Sequence, residues 1–186
     1  MAQRLADLAD QGCPNFFDSQ RFGKDNSNLK RLAQWINGDI NVTKRHEKSL
    51  LLSALRAAEF NRQLGQRVQN RTWQTLVPGD VAILDGSNSH FSVASVDAEL
   101  SARAAANDIH PAGVLPGADD SIAGAPPLLA ELMQRERLQR AYRPLRLRIQ
   151  QLAWQFVADD LILTMRLPRG AYASGVIRHI FDLQSD

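Results

Sequence analysis

Two stretches with a period of two residues constrain this 186-residue chain more than anything else in it. Leu145, Leu147 and Ile149 alternate with Arg146, Arg148 and Gln150, and after Asp159-Asp160 the residues Leu161, Leu163, Met165 and Leu167 alternate in the same way. Such alternation puts apolar and polar side chains on opposite faces of a strand, so the two stretches read as a strand pair, the first with a basic outer face. Pro168 and Gly170 stop the second strand, and a helix is expected over 171–183 with Tyr172, Val176, Ile180 and Leu183 along one side. The first third of the chain carries the other period. Leu5 and Leu8 precede a stop at Gly12 and Pro14; Leu29, Leu32, Ala33 and Ile36 share one face after a cap at Asn28; Leu51, Leu55, Ala58 and Leu64 form a stripe over 44–65 after Thr43.

The middle is made of short pieces. Val81–Leu84 and Phe91–Val93 read as strands between the turn signals Pro78-Gly79-Asp80 and Asp85-Gly86-Ser87-Asn88. Asp97 caps an alanine-rich helix over 98–106. Asp108-Ile109-His110-Pro111 opens a long loop, and Pro126-Pro127 starts a helix reaching about Tyr142.

Hydrophobic residues make up 44% of the sequence, enough for one or two compact domains and too many for wholesale disorder. A lone cysteine, Cys13, excludes an intrachain disulfide and reads as a small buried hydrophobe in a reducing compartment. No apolar run is long enough to cross a bilayer and the N-terminus has no signal-peptide pattern, so the expected location is the cytoplasm, without a membrane partner. The net charge of +2 conceals an asymmetry: residues 1–71 hold 12 basic and 7 acidic groups, residues 72–128 hold 1 and 7, and residues 129–186 hold 9 and 6. All four lysines, Lys24, Lys30, Lys44 and Lys48, fall in the first block, and with Arg31 and Arg45 they suit either a polyanion such as RNA or an ordinary solvated helix face. The histidines (His46, His90, His110, His179) lack ligand-like spacing, no glycine-rich phosphate loop occurs, and no metal or cofactor is expected. His110, before Pro111, reads as a loop brace rather than an acid-base group.

The segment Asn15-Phe16-Phe17-Asp18-Ser19-Gln20-Arg21-Phe22-Gly23 concentrates aromatics, an amide and a guanidinium where composition alone indicates a loop. A protein that acts on a base inside folded RNA must extract it, stack it and satisfy its polar edge. Phe17 or Phe22 can stack a base, Asn15 can bond to a uracil edge or fix the loop, and Arg21 can pair with a phosphate or a carboxylate. The same aromatics can equally be core residues that anchor a loop.

With further landmarks in order, this segment resembles the D-type family of tRNA pseudouridine synthases, which modify uridine 13. The landmarks are Asp39-Ile40-Asn41-Val42 leading into Arg56-Ala57-Ala58-Glu59-Phe60-Asn61, then Pro78-Gly79-Asp80, His110-Pro111-Ala112-Gly113, and Leu167-Pro168-Arg169-Gly170-Ala171-Tyr172-Ala173. The likeness covers that family's C-terminal half. It implies an α/β (α+β) fold with a discontinuous part of a synthase core at 1–40 and 144–186, carrying a mixed, mainly antiparallel sheet, and an inserted α/β domain at 41–143. It also implies an active-site cleft lined by Asn15, Phe17, Gln20, Arg21, Phe22 and Gly23, tRNA as partner, RNA contacts from Lys24, Lys30, Arg31, Lys44, Arg45 and Lys48, a monomer, and isomerisation without cofactor or metal.

The family's essential aspartate, however, lies in an N-terminal Gly-x-Lys-Asp-type motif that this sequence does not contain. Asp18 and Asp25 lie nearest the implied cleft without that motif's surroundings. The resemblance therefore implies a synthase portion active only when joined to an N-terminal portion, which can be a separate chain, or else a tRNA-binding module or an inactive remnant.

Overall fold

A computed structural model describes residues 1–181. In chain order the elements are α1 (Ala2–Gln11), β1 (Cys13–Pro14), α2 (Ser27–Ile36), α3 (Arg45–Gln69), β2 (Val81–Leu84), β3 (His90–Ser92), α4 (Ala98–Ala105), β4 (Ile109–Leu115), α5 (Pro127–Arg135), β5 (Ala141–Pro144), β6 (Arg146–Leu147), β7 (Gln150–Val157), β8 (Asp160–Arg166) and α6 (Ala173–Phe181). The class is mixed α+β, and every strand pairing with a described register is antiparallel. The chain divides into two compact units, one of residues 1–16, 67–112 and 144–186 and one of residues 17–66 and 113–143.

The first unit has two apolar centres. Leu5 and Leu8 of α1 and Val176 and Ile180 of α6 are buried with Cys13, Leu147 and Ile149, and Leu152, Trp154, Leu161, Leu163 and Met165 of the β7–β8 hairpin pack against them. Burial pushes the Cys13 thiol up to about 12, so it behaves as the expected small hydrophobe. The second centre joins Leu76, Ala82, Val93, Ala104 and Ile109 beneath the strand order β3-β2-β4. Asp97 caps α4 as expected, its carboxylate accepting from the Leu100 amide at 2.8 Å.

The alternating segments behave differently from expectation. Leu145, Leu147 and Ile149 are buried, but so is Arg146, and the strand there is the two-residue β6, paired with β1. The partner of β8 is β7, in register from Val157↔Asp160 to Ala153↔Thr164 around a turn at Ala158-Asp159. The expected basic face is thus reduced to Arg148. Arg146 instead donates from Nε to His110 Nδ1 at 3.0 Å and from Nη2 to the Ala104 carbonyl at 2.6 Å, which fixes two of its three nitrogens in the interior. The expected 171–183 helix is α6; of its apolar stripe, Leu183 lies outside the described residues.

The segment around His110 is also not a loop but β4, with Ile83↔His110 and Ala82↔Pro111 opposite one another. A guanidinium Nε can only donate, so His110 Nδ1 is the acceptor and Nε2 carries the proton to Asp85 Oδ1, 2.9 Å away. Burial, with the Arg146 and Arg148 charges adding to it, pushes the His110 pKa below its ordinary value against the pull of Asp85. The neutral imidazole is therefore the folded form. Its contribution is fully present above the unfolded value of about 6.5 and is lost as pH falls through the lower folded value. Urea midpoints are expected to drop from about pH 7 towards about pH 5, and this slope should flatten in His110→Gln; equal slopes in both proteins would sink the assignment.

The second unit is helical. Leu32 and Trp35 of α2, Leu51 and Leu52 of α3, and Leu129, Leu132 and Met133 of α5 share one core with Val42. Two expected boundaries move. Helix α2 starts at Ser27 rather than after Asn28, because the Asn28 amide is turned back to the Arg21 carbonyl at 3.1 Å instead of capping. Helix α5 ends at Arg135, well short of Tyr142. Arg137 takes a left-handed φ of 51°, and the following backbone runs against Gly117, where a Cβ would lie 2.2 Å from the Arg140 nitrogen. Only glycine admits that approach, and β5 follows.

Candidate functional site

In the second unit the motif loop is fixed by α3. Asn61 brackets the Phe17 backbone, its Oδ1 accepting from the Phe17 amide and its Nδ2 donating to the Phe17 carbonyl, each at 2.9 Å. Fully buried Phe60, one residue earlier, meets the Phe17 ring edge-on with centroids 5.5 Å apart and an interplanar angle of 84°. The Arg143 guanidinium lies 4.0 Å from the Phe17 centroid and 5.5 Å from that of Phe60, and the Arg21 guanidinium lies 5.4 Å from Phe17. Arg21 Nη1 also donates to Ser53 Oγ of α3 at 2.9 Å. Phe17 is therefore a half-buried ring carrying planar cations rather than an isolated core residue.

The rest of the loop is shaped by its turns. Asp18 is buried, and its Oδ1 accepts from the Ser19 amide at 2.5 Å and the Ser19 hydroxyl at 2.8 Å, which makes it the cap of a short 3₁₀ turn over Ser19–Phe22. Gly23 has φ 76°, and a Cβ there would sit 2.5 Å from Ser27 Oγ, so this motif position accepts only glycine. Gln20 is exposed and Phe22 half-buried. Asn15 belongs to the first unit, where its Nδ2 donates to the Pro144 carbonyl at 2.9 Å; that bond fixes its own loop.

Ser53 also lines a polar groove of about 520 Å³ along α3, together with Arg45, Lys48, Ser49 and Arg56. Arg56 holds the Leu115 and Gln139 carbonyls through Nη2 at 3.2 and 2.9 Å while its buried Nε makes no hydrogen bond, and burial pulls its pKa down. The other cations differ in what they hold. Lys48 is paired with Glu136 at 2.6 Å and Arg31 with Glu47 at 2.5 Å. Lys24, Lys30, Lys44 and Arg45 are exposed and make no ion pair among the described residues. Asp25 is exposed as well, in a left-handed turn. No group of three potential metal ligands occurs among the described residues, and no described helix is long and apolar enough to cross a membrane.

Arg143 was not visible from the sequence, because it follows a stretch that reads as helix. Phe60 and Asn61 were visible only as part of a landmark, without a role. The profile of tRNA pseudouridine synthase D (TruD) matches residues 27–180, most of the chain. The chain belongs to the tRNA pseudouridine synthase D family.

A tRNA pseudouridine synthase D from Nitrosococcus oceani is 36% identical over 99% of this chain, and one from Pectobacterium atrosepticum is 34% identical over 98%. The chain spans just over half of those relatives, 55% and 57% of their lengths. Among solved structures, a putative tRNA pseudouridine synthase D from Methanosarcina mazei superposes with a TM-score of 0.65, at 14% identity, over 98% of this chain and 64% of that one. That likeness shows the shared fold. The motif loop of this synthase-family chain is thus an aromatic bracketed by α3 with two guanidiniums close to its ring, and Ser53, which holds one of them, also lines the polar groove along α3.

Proposed function

We propose that this chain supplies the RNA-holding portion of a tRNA uridine-13 pseudouridine synthase. The observation that carries the reading is the Arg143 guanidinium 4.0 Å from the Phe17 centroid, with Arg21 close to the same ring. Aromatic and guanidinium planes are the surfaces on which unstacked RNA bases rest, and both groups are held by α3-anchored contacts. The exposed cations Lys24, Lys30, Lys44 and Arg45 would meet the phosphate backbone, with Arg31 and Lys48 contributing less because each already holds a carboxylate. Asn15, Gln20, Phe22 and Gly23 would complete the cleft. On this reading residues 1–40 and 144–186 belong to the synthase core and 41–143 to the inserted domain, working as a monomer in the cytoplasm.

Isomerisation needs a carboxylate to assist cleavage of the glycosidic bond before C5 of the turned uracil rejoins the sugar. Asp18 is occupied as a cap, and Asp25 stands in solvent. The carboxylate would come from the part of the relatives' length that this chain does not match. The test is pseudouridine formation in an unmodified tRNA bearing uridine 13, with this chain alone and then with the N-terminal half of a related synthase. Turnover only on complementation is expected. Turnover by the chain alone would overturn the missing-carboxylate argument, and tRNA binding without turnover in either case would favour a non-catalytic binding module.

A further inference from the structure

A second pocket, of about 310 Å³ and open to solvent on one side, lies wholly within the first unit, bounded by the C-terminal end of α1, the loop after α3, helix α4 and β6. Its volume is at the low end of the ~300–1,000 Å³ typical of small-molecule sites. Leu76, Val96 and Ala104 supply apolar wall, and Arg146 and Asp10 supply charge. Arg146 is 6% exposed and locked in place: Nε is held by His110 and Nη2 by the Ala104 carbonyl. Its Nη1 makes no hydrogen bond among the described residues. Asp10, on the same cavity, has a carboxylate with no partner among the described residues, and its charge reaches the guanidinium. Asn107 adds a buried Oδ1 that is likewise unbonded. A fixed donor and a carboxylate acceptor, with unspent hydrogen-bonding capacity between apolar walls, make a site for a small polar molecule rather than a packing defect.

The pairing selects the ligand. Inorganic phosphate or a simple carboxylate would satisfy Arg146 but meet repulsion from Asp10. A planar heterocycle with an acceptor beside donors satisfies both. Among nucleobases only guanine offers an acceptor, O6, flanked by two adjacent donors, N1–H and the N2 amine, and two donors match the two oxygens of a carboxylate. Uracil offers one such donor, while adenine and cytosine put an amine where Arg146 needs an acceptor. We propose that the cavity between α1, α4 and β6 binds a guanine base, with Arg146 Nη1 donating to O6 and Asp10 accepting from N1–H and the N2 amine. The site is distinct from the Phe17 loop and does not depend on uridine chemistry.

Calorimetric titration of the full chain with guanosine, inosine, cytidine and inorganic phosphate tests this without any tRNA modification assay. Guanosine should bind saturably. Inosine, which lacks the N2 amine, should bind about tenfold more weakly, the loss of one hydrogen bond to a charged group. Cytidine and phosphate should not compete. Asp10→Asn, at an exposed helix end, should erase the guanosine-over-inosine preference while leaving the fold intact, and Ala105→Trp, at an exposed wall position, should block binding. Competition by a guanine-bearing RNA oligomer but not a guanine-free one would identify a base in RNA as the ligand; binding of guanosine without such competition would identify a free nucleoside or nucleotide. No saturable guanosine binding up to about 1 mM, at which affinity is only about 4 kcal/mol, equal binding of cytidine, or displacement by phosphate would each overturn the proposal.

Discussion

Phe60→Ala is expected to cost about 3–5 kcal/mol of stability, seen as a lower urea midpoint, and to abolish RNA-dependent activity in the complemented synthase at temperatures where the fold survives. Phe60 has no solvent exposure, so its deletion removes the full transfer free energy of the ring and leaves a cavity that α3 cannot close. It also removes the edge against which the Phe17 ring stands. Asn61 would still hold the Phe17 backbone, but the ring and the Arg143 guanidinium over it would lose their common support. Phe60→Leu separates the two effects. It keeps most of the volume, at a cost below about 1.5 kcal/mol, yet loses the edge-to-face contact, worth about 0.5–1.5 kcal/mol. If Phe60→Leu retains both stability and full activity, the ring is packing only and the Phe17–Arg143 platform is not what holds RNA.

The sequence made the helices legible because their apolar spacing reports burial directly: Leu5 with Leu8, Leu32 on α2, and Leu51 with Leu64 on α3 are all interior. It made the motif loop legible as a site because three aromatics in nine residues with an amide and a guanidinium have little reason to share an unpatterned segment. It could not show that Arg146 is interior. Alternation assigns an arginine to solvent, and partners far away in sequence, His110 and the Ala104 carbonyl, are what allow its burial. The same limit hid Arg143, whose role depends on Phe17 and Phe60, and reassigned the partner of β8, since Leu152 and Trp154 on β7 alternate as well as Leu145 and Leu147 do. Period gives a strand and a face; it does not give the neighbour. Asn28 shows the competition at short range, where one amide could cap a helix or hold the Arg21 carbonyl, and the motif loop takes it.

Arg67→Met is the second large expected effect, a loss of about 3–5 kcal/mol from the first unit. The Arg67 guanidinium takes both oxygens of Asp80, Nη1 to Oδ1 at 2.8 Å and Nη2 to Oδ2 at 3.0 Å, and it also donates to the Thr72 and Thr75 carbonyls. Asp80 in turn accepts from the Val77 amide at 2.9 Å, closing the Pro78-Gly79-Asp80 turn. Both side chains are largely shielded, at 17% and 13% exposure, so the ion pair is not a screened surface contact. Removing the cation leaves a shielded carboxylate and two carbonyls without their donor, which costs more than the pair itself contributes. The landmark Asp80 is therefore a turn lock. A double-mutant cycle with Asp80→Asn checks this, because the two losses should be strongly non-additive: once the carboxylate charge is gone, removing Arg67 should cost much less. If Asp80→Asn instead leaves the urea midpoint unchanged while eliminating turnover in the complemented synthase, Asp80 acts in chemistry and the assignment of this turn is wrong.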